Sequence, residues 1–262
     1  MKQMTKDLIN WVKTYFEDNE NGYAVIGISG GKDSTIAAGV LVQALGADRV
    51  LGVLMPNGIQ KDIQDSLDVC EFLKIKHYKV NIGGAYDELC GAIDQNLFHT
   101  HLVTEYAEVN PIVRTNLPSR LRMATLYAVA AIHPNSRVVN TSNYSERFIG
   151  YSTKWGDGVG DFSLFGLLTV KQVLEIGDDL GLPRHLVHKA PSDGMSGQSD
   201  EEKIGFSYAE LDSYLTGSTN NYPSKETIEK IGKLHRINKH KMSPIPTFVP
   251  DELPLSELEG VF

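Results

Sequence analysis

Cysteine is nearly absent from this chain: two residues in 262, Cys70 and Cys90, with no C-x-x-C spacing. That stock excludes a disulfide framework and a thiolate metal cluster, and it fits a reducing cytoplasm. Long hydrophobic runs are also missing. None approaches the ~18 residues a membrane span needs, and the N-terminal stretch MKQMTKDLINWVKTYFEDNE has neither the apolar centre nor the small-residue cleavage site of a signal peptide. Excess positive charge is lacking too. Lys and Arg number 25 against 33 Asp and Glu, a formal net charge of −8, which argues against a general nucleic-acid binder with its basic face. No internal repeat and no long linker interrupt the chain, so one domain over residues 1–262 is expected, large enough to bury a substantial core.

The acidic balance carries a requirement. If the ligand is an anion, cations must be gathered locally against an unfavourable overall field. The cluster of Lys, Arg and His is expected in space near the glycine turn of residues 23 to 41, YAVIGISGGKDSTIAAGVL. The apolar run 23–28 reads as a buried strand, Ser29-Gly30-Gly31 as a turn, and the spacing of Ile36, Ala37, Val40 and Leu41 as a helix. Glycine lets backbone N–H groups approach an anion closely, and the helix start adds its positive end. Ser29 and Ser34 bring hydroxyls, Lys32 a cation, and Asp33 a carboxylate able to hold magnesium beside phosphates. The run is not a Walker A loop, which requires glycine at Ile26 and Ser or Thr at Asp33.

The remaining chain alternates strands and helices, which predicts βαβ units and a parallel sheet. Strands are expected over 49–55, 76–82 and 138–140, and helices over 63–73, 86–98, 116–132, 170–180, 208–215 and 224–240. Residues 99–115 are ambiguous. An N-terminal helix within residues 1–20 places Leu8, Trp11, Val12, Tyr15 and Phe16 along one stripe, either core packing or a subunit interface. Arg120 and Arg122 fall near the expected start of the 116–132 helix, where cations oppose the helix dipole unless an anion is close. Residues 141–168 show no sustained periodicity, and an irregular segment leaving a strand end in an α/β protein is a functional candidate. Within it Glu146, Asp157 and Asp161 can join Asp33 around magnesium or can serve only as turn residues. Residues 190–206 read as a Ser/Gly/Asp-rich loop, a lid or a linker, and 241–262 as an extended proline-containing tail.

SGGKDS resembles the SGGxDS signature of the N-type ATP pyrophosphatases. Together with NLPSRLRM (116–123), TSNYSERFIGYSTKWGDGVGD (141–161), HKAPSDG, DEEKIGFSYAELDSYL and the late His240-Lys241 pair, it resembles the ammonia-dependent NAD synthetases nearly from end to end. The TKWGDG block is the more specific part, because the relatives that share SGGxDS lack it. The resemblance implies an α/β, Rossmann-like, doubly wound fold with a mainly five-stranded parallel sheet and helices on both faces. It implies ATP-dependent amidation of deamido-NAD by ammonia through an acyl-adenylate, releasing AMP and pyrophosphate, with magnesium, in a homodimer. By position, Gly27, Ile28, Ser29, Gly30, Gly31, Lys32, Asp33, Ser34, Thr141 and Ser192 would line ATP, and Asp33 with Glu146 would hold the metal. Arg120, Lys154, Asp161, His240 and Lys241 would contact deamido-NAD, with Asp33, Lys154 and Asp157 closest to the chemistry. Asp157 is the expected receiver of ammonium, from which it would help remove a proton. The pattern departs at Val170, where a phosphate-contacting lysine is expected and Lys171 follows one place later. Nor is there a cysteine in a recognisable glutaminase context, so free or partner-delivered ammonia is the expected nitrogen source. Other ATP pyrophosphatase-type amidating or thiolating enzymes, and a non-catalytic adenine-nucleotide-binding regulator, are the competing readings.

Overall fold

A parallel sheet of order β3-β2-β1-β4-β5 organises the computed structural model, which describes residues 1–19, 21–60, 62–100, 106, 110–189 and 199–248. Its strands are β1 (Ala24–Gly27), β2 (Val50–Leu54), β3 (Lys76–Lys79), β4 (Arg137–Asn140) and β5 (Phe162–Ser163). β1 pairs with β2 from Ala24↔Val50 to Gly27↔Val53, and with β4 through Ala24↔Arg137 and Val25↔Val138. The order reverses between β1 and β4, so a crevice opens beyond the carboxyl ends of those two strands.

Side-chain alternation along β1 feeds two cores. Ala24 and Ile26 face α1 (Gln3–Tyr15), α2 (Lys32–Leu45), α3 (Ile63–Leu73), α7 (Val170–Asp179) and α8 (Arg184–Val187), through Ile9, Val12, Phe16, Ile36, Leu41, Val173 and Ile176. Val25 faces the other way, with Leu51, Val53 and Val138, onto Met123, Leu126 and Val129 of α5 (Pro111–Ile132). Helices therefore cover both faces, and α4 (Gly83–Thr100) packs beside α5. A third apolar cluster joins α6 (Tyr144–Ile149), α7, α10 (Tyr208–Thr216) and α11 (Lys225–Met242) through Ile149, Val170, Phe206, Tyr208, Leu211 and Ile231. β3 is an edge strand with all four residues exposed, and its two lysines guard it against further pairing.

Several expectations are corrected. The stripe of α1 that enters the core is Thr5, Ile9 and Val12, continued by Phe16, while Trp11 and Tyr15 stay 46% and 37% exposed and stack on each other. α5 begins at Pro111, capped by the Asn110 side chain, so Arg120 and Arg122 lie in mid-helix and the dipole argument falls. Residues 141–168 contain α6 and β5, both too short for periodicity to show. Part of the 190–206 stretch is α9 (Asp200–Ile204), started by a Ser199–Glu202 capping box. Ser192 and residues 249–262 of the tail lie outside the described residues.

Candidate active site

The turn after β1 is closed by its own hydroxyls. Ser29 Oγ accepts from the Gly31 amide at 3.2 Å and lies 3.0 Å from Ser34 Oγ. The Ser34 and Thr35 hydroxyls both donate to the Gly31 carbonyl, at 3.1 and 2.8 Å, locking the first turn of α2. Gly30 sits at φ +76°, and a Cβ there would come within 2.8 Å of Asp65 Cβ and 3.0 Å of the Ser66 amide. Glycine is thus required twice, for the left-handed backbone and for the close approach of α3. Lys189 reinforces that approach by pairing with Asp62 at 3.2 Å and with Asp65.

Opposite this turn, the segment after β4 brings in α6. Asn143 caps α6 in a reciprocal box: its side chain accepts from the Glu146 amide at 3.0 Å, and its own N–H donates to Glu146 Oε2 at 3.3 Å. The same Asn143 donates Nδ2 to Asp33 Oδ1 at 3.3 Å. One asparagine therefore ties the two carboxylates predicted to hold a metal. Glu146 is pushed up to about 8, first by desolvation and then by the facing Asp33 charge. Lys32 is 8% exposed and places Nζ 2.7 Å from Asp33 Oδ2. Its pKa is raised although burial acts to lower it, because Asp33 and Glu146 hold the charge in place. Among the described residues no group of three or more His, Cys, Asp or Glu could cage a metal. Two carboxylates are nonetheless what magnesium uses when phosphates complete its shell.

A second wall comes from the TKWGDG block folded against α5. Asp157 Oδ1 accepts from Ser119 Oγ at 2.7 Å and from the Thr153 amide at 2.9 Å, while the Asp157 amide donates back to Ser119 Oγ. A Cβ at Gly156 would lie 2.6 Å from Ser119 Oγ, so this turn hugs the helix. Arg120 Nε donates to the Lys154 carbonyl at 3.2 Å, and Lys154 Nζ sits 5.2 Å from the centroid of the Trp155 ring. Trp155 is 53% exposed at φ +63°, a costly backbone for a bulky residue. Thr141 leaves the carboxyl end of β4, between Asn140 and Ser142; both of these bond the Asp157 carbonyl, at 2.9 and 3.2 Å.

Not every predicted residue joins this crevice. Asp161 precedes β5 and accepts from the Val138 amide at 2.7 Å and the Tyr127 hydroxyl at 3.1 Å. That places it at the amino end of the sheet, lining an open depression of about 380 Å³ with His133 and Arg137, so it cannot share a metal with Asp33. Lys241 Nζ donates to the Gly150 and Ser152 carbonyls at 2.9 Å each, clamping the end of α6 to α11. His240 is exposed and bonds only the local Ile237 carbonyl at 3.2 Å among the described residues. Val170 is buried in the third cluster and Lys171 is exposed, so neither places a buried cation beside the turn. Sequence reasoning passed over Ser119, Asn140, Asn143 and Tyr208. Asn143 alone carried a local signal, Asn followed three residues later by Glu.

Comparison with known proteins identifies the family. The NAD synthase family model matches residues 4–245. An NH(3)-dependent NAD(+) synthetase of Alkaliphilus metalliredigens is 36% identical, over 91% of this chain and 96% of its own. The NMN synthetase structure from Francisella tularensis superposes with a TM-score of 0.80 at 33% identity, covering 95% of this chain and 98% of that one. An NH3-dependent NAD synthetase structure from Campylobacter jejuni, at 22% identity and a TM-score of 0.73 over 95% of this chain, shares the fold. No helix among the described residues is long and apolar enough to cross a membrane. With a phosphate-type turn, two joined carboxylates and a match that runs almost its whole length, the chain belongs to the NAD synthase family.

Proposed function

We propose that this chain joins ammonia to the nicotinate carboxyl of deamido-NAD at the expense of ATP, yielding NAD, AMP and pyrophosphate. The observation that carries the reading is the Asn143 bridge. It holds Asp33 and Glu146 together beside the Gly30-Gly31 turn, at the point where strand order reverses. Residues 27–34 and Thr141 receive the ATP phosphates on N–H groups and hydroxyls. Asp33 and Glu146 would hold magnesium, which fits because Glu146 is buried facing Asp33 and is pushed up to about 8, first by desolvation and then by that charge. When bound, magnesium supplies charge screening for a carboxylate approaching a polyphosphate.

The chain's own residues supply position and charge rather than a nucleophile, since both attacking groups belong to substrates. The nicotinate carboxylate attacks the α-phosphorus, and the acyl-adenylate then yields to ammonia with AMP leaving. Lys154, held by the Arg120 bond to its carbonyl, reaches over Trp155 toward the acceptor. Asp157, fixed by Ser119 and Thr153, receives ammonium and takes a proton from it. Lys241 shapes the segment that carries both. Asp161, at the far end of the sheet beside the exposed Trp11 and Tyr15, serves deamido-NAD across a homodimer interface. A stable active monomer in sedimentation would remove that last assignment.

The test is incubation with ATP, magnesium, deamido-NAD and ammonium, with NAD, AMP and pyrophosphate quantified. Equimolar NAD and AMP are expected, and ATP cleavage indifferent to deamido-NAD would refute the reading. Glutamine in place of ammonium should give little NAD. The likeness to an NMN synthetase supports a second reading, in which the acceptor is the mononucleotide acid. Nicotinate mononucleotide offered in parallel decides between the acceptors by kcat/KM.

A further inference from the structure

We infer that the Tyr208 hydroxyl, beside Lys32, is a further donor to the terminal diphosphate that the turn after β1 receives and, after the reaction, to free pyrophosphate. This deepens the ATP assignment above and rests on it. Tyr208 is 4% exposed, and its hydroxyl has no hydrogen-bond partner among the described residues. A buried hydroxyl without a partner is rare and calls for an occupant that is absent from the protein alone. The ring of Tyr208 is not free to turn the hydroxyl elsewhere, because it is packed with Val170, Phe206, Leu211 and Ile231. Its backbone is fixed too: the Tyr208 amide donates to Glu201 Oε1 at 2.8 Å and Ser207 caps α10.

Lys32 stands next to this orphan. Its Nζ lies 5.7 Å from the Tyr208 ring centroid and follows directly on the Gly30-Gly31 turn. An ammonium offers three N–H donors, and among the described residues only Asp33 accepts one. Both groups are therefore able to donate a hydrogen bond. With the Lys32 ammonium over the Tyr208 ring, an N–H donor of α2 and an O–H donor of α10 lie side by side, and the polyphosphate of the proposed reaction, together with its magnesium, is the ligand at hand for them. Burial, and then the charges of Glu146, Asp200 and Asp33, keep the proton on Tyr208, so it remains a donor. The exposure of Lys171 and the burial of Val170 leave this side of the crevice without a buried cation from α7, a role Lys32 fills from the opposite wall.

The experiment titrates pyrophosphate with magnesium into the intact protein by calorimetry, comparing wild type, Tyr208→Phe and Lys32→Met. Tyr208→Phe removes one oxygen and keeps the packed ring. It should be no less stable than wild type without ligand yet bind pyrophosphate about tenfold more weakly, about 1.4 kcal/mol. Lys32→Met should lose at least as much. The same ratios measured with ATP show that the site serves the bound triphosphate; a loss confined to free pyrophosphate would limit it to product and overturn the ATP half. Tyr208→Phe with unchanged affinity, or destabilised without ligand, overturns the donor role altogether. If wild type binds no pyrophosphate, the ATP assignment falls with it, whereas equal binding by all three proteins defeats only this inference.

Discussion

Gly30→Ala separates two costs that the structure keeps distinct. At φ +76° an alanine meets the left-handed penalty, about 1–2 kcal/mol, part of which is returned because alanine has fewer unfolded conformations. Gly217, at the end of α10, has φ +69° and open space where its Cβ would go, so Gly217→Ala measures that net penalty alone. At Gly30 the new Cβ would also lie 2.8 Å from Asp65 Cβ and 3.0 Å from the Ser66 amide. These atoms belong to the first turn of α3 and cannot swing aside, so helix or turn must shift by roughly half an ångström, at an overpacking cost of about 1–3 kcal/mol. Urea unfolding should therefore place Gly30→Ala about 1–3 kcal/mol below Gly217→Ala. The same displacement moves the Gly30-Gly31 backbone and the Ser29 hydroxyl it holds, so KM for ATP should rise about tenfold in Gly30→Ala and stay near wild type in Gly217→Ala. Equal stability of the two variants, with ordinary ATP kinetics in both, would refute the crowding argument and the role of the turn together.

Asp33→Asn should cut turnover about a hundredfold or more, with magnesium no longer promoting ATP binding; near-normal activity would take Asp33 out of the metal site. The same change strips Lys32 of its partner at 2.7 Å, so stability should fall by about 1–3 kcal/mol, moderated because Glu146 faces the same ammonium. Lys154→Ala should lower kcat about 10–100-fold while KM for ATP moves little; a parallel rise in KM for ATP would place Lys154 on the nucleotide instead. Lys241→Met keeps the stem and deletes both carbonyl bonds, so thermal unfolding should show a loss of about 1–3 kcal/mol. An unchanged midpoint would mean those bonds contribute nothing.

What the sequence determined by itself was the part written in short-range physics. The apolar run into Gly30-Gly31 specified strand, turn and helix, because strand propensity, glycine backbone freedom and helical spacing all act within a few residues of each other. The bounds expected for α3, 63–73, are the observed ones, and the alternation of strands and helices was enough for a parallel sheet, its doubly wound form being what the resemblance implied. The strand-end argument grouped Glu146, Asp157 and Asp161 with Asp33, and only resemblance singled out Glu146, since 113 positions separate it from Asp33 and nothing local says they meet.

Tertiary structure decided the rest. Strand order placed β4 against β1, and that adjacency alone lets Asn143 bridge two carboxylates. It sent Asp161 to the opposite end of the sheet although only three residues part it from Asp157, because β5 pairs in parallel with β4 and its start must lie at the amino end. It turned Lys241 inward onto two carbonyls and left Tyr208 with a buried hydroxyl that has no partner among the described residues, and neither outcome has a pattern in the chain. Such contacts join residues dozens of positions apart, so they are properties of packing and not of spacing.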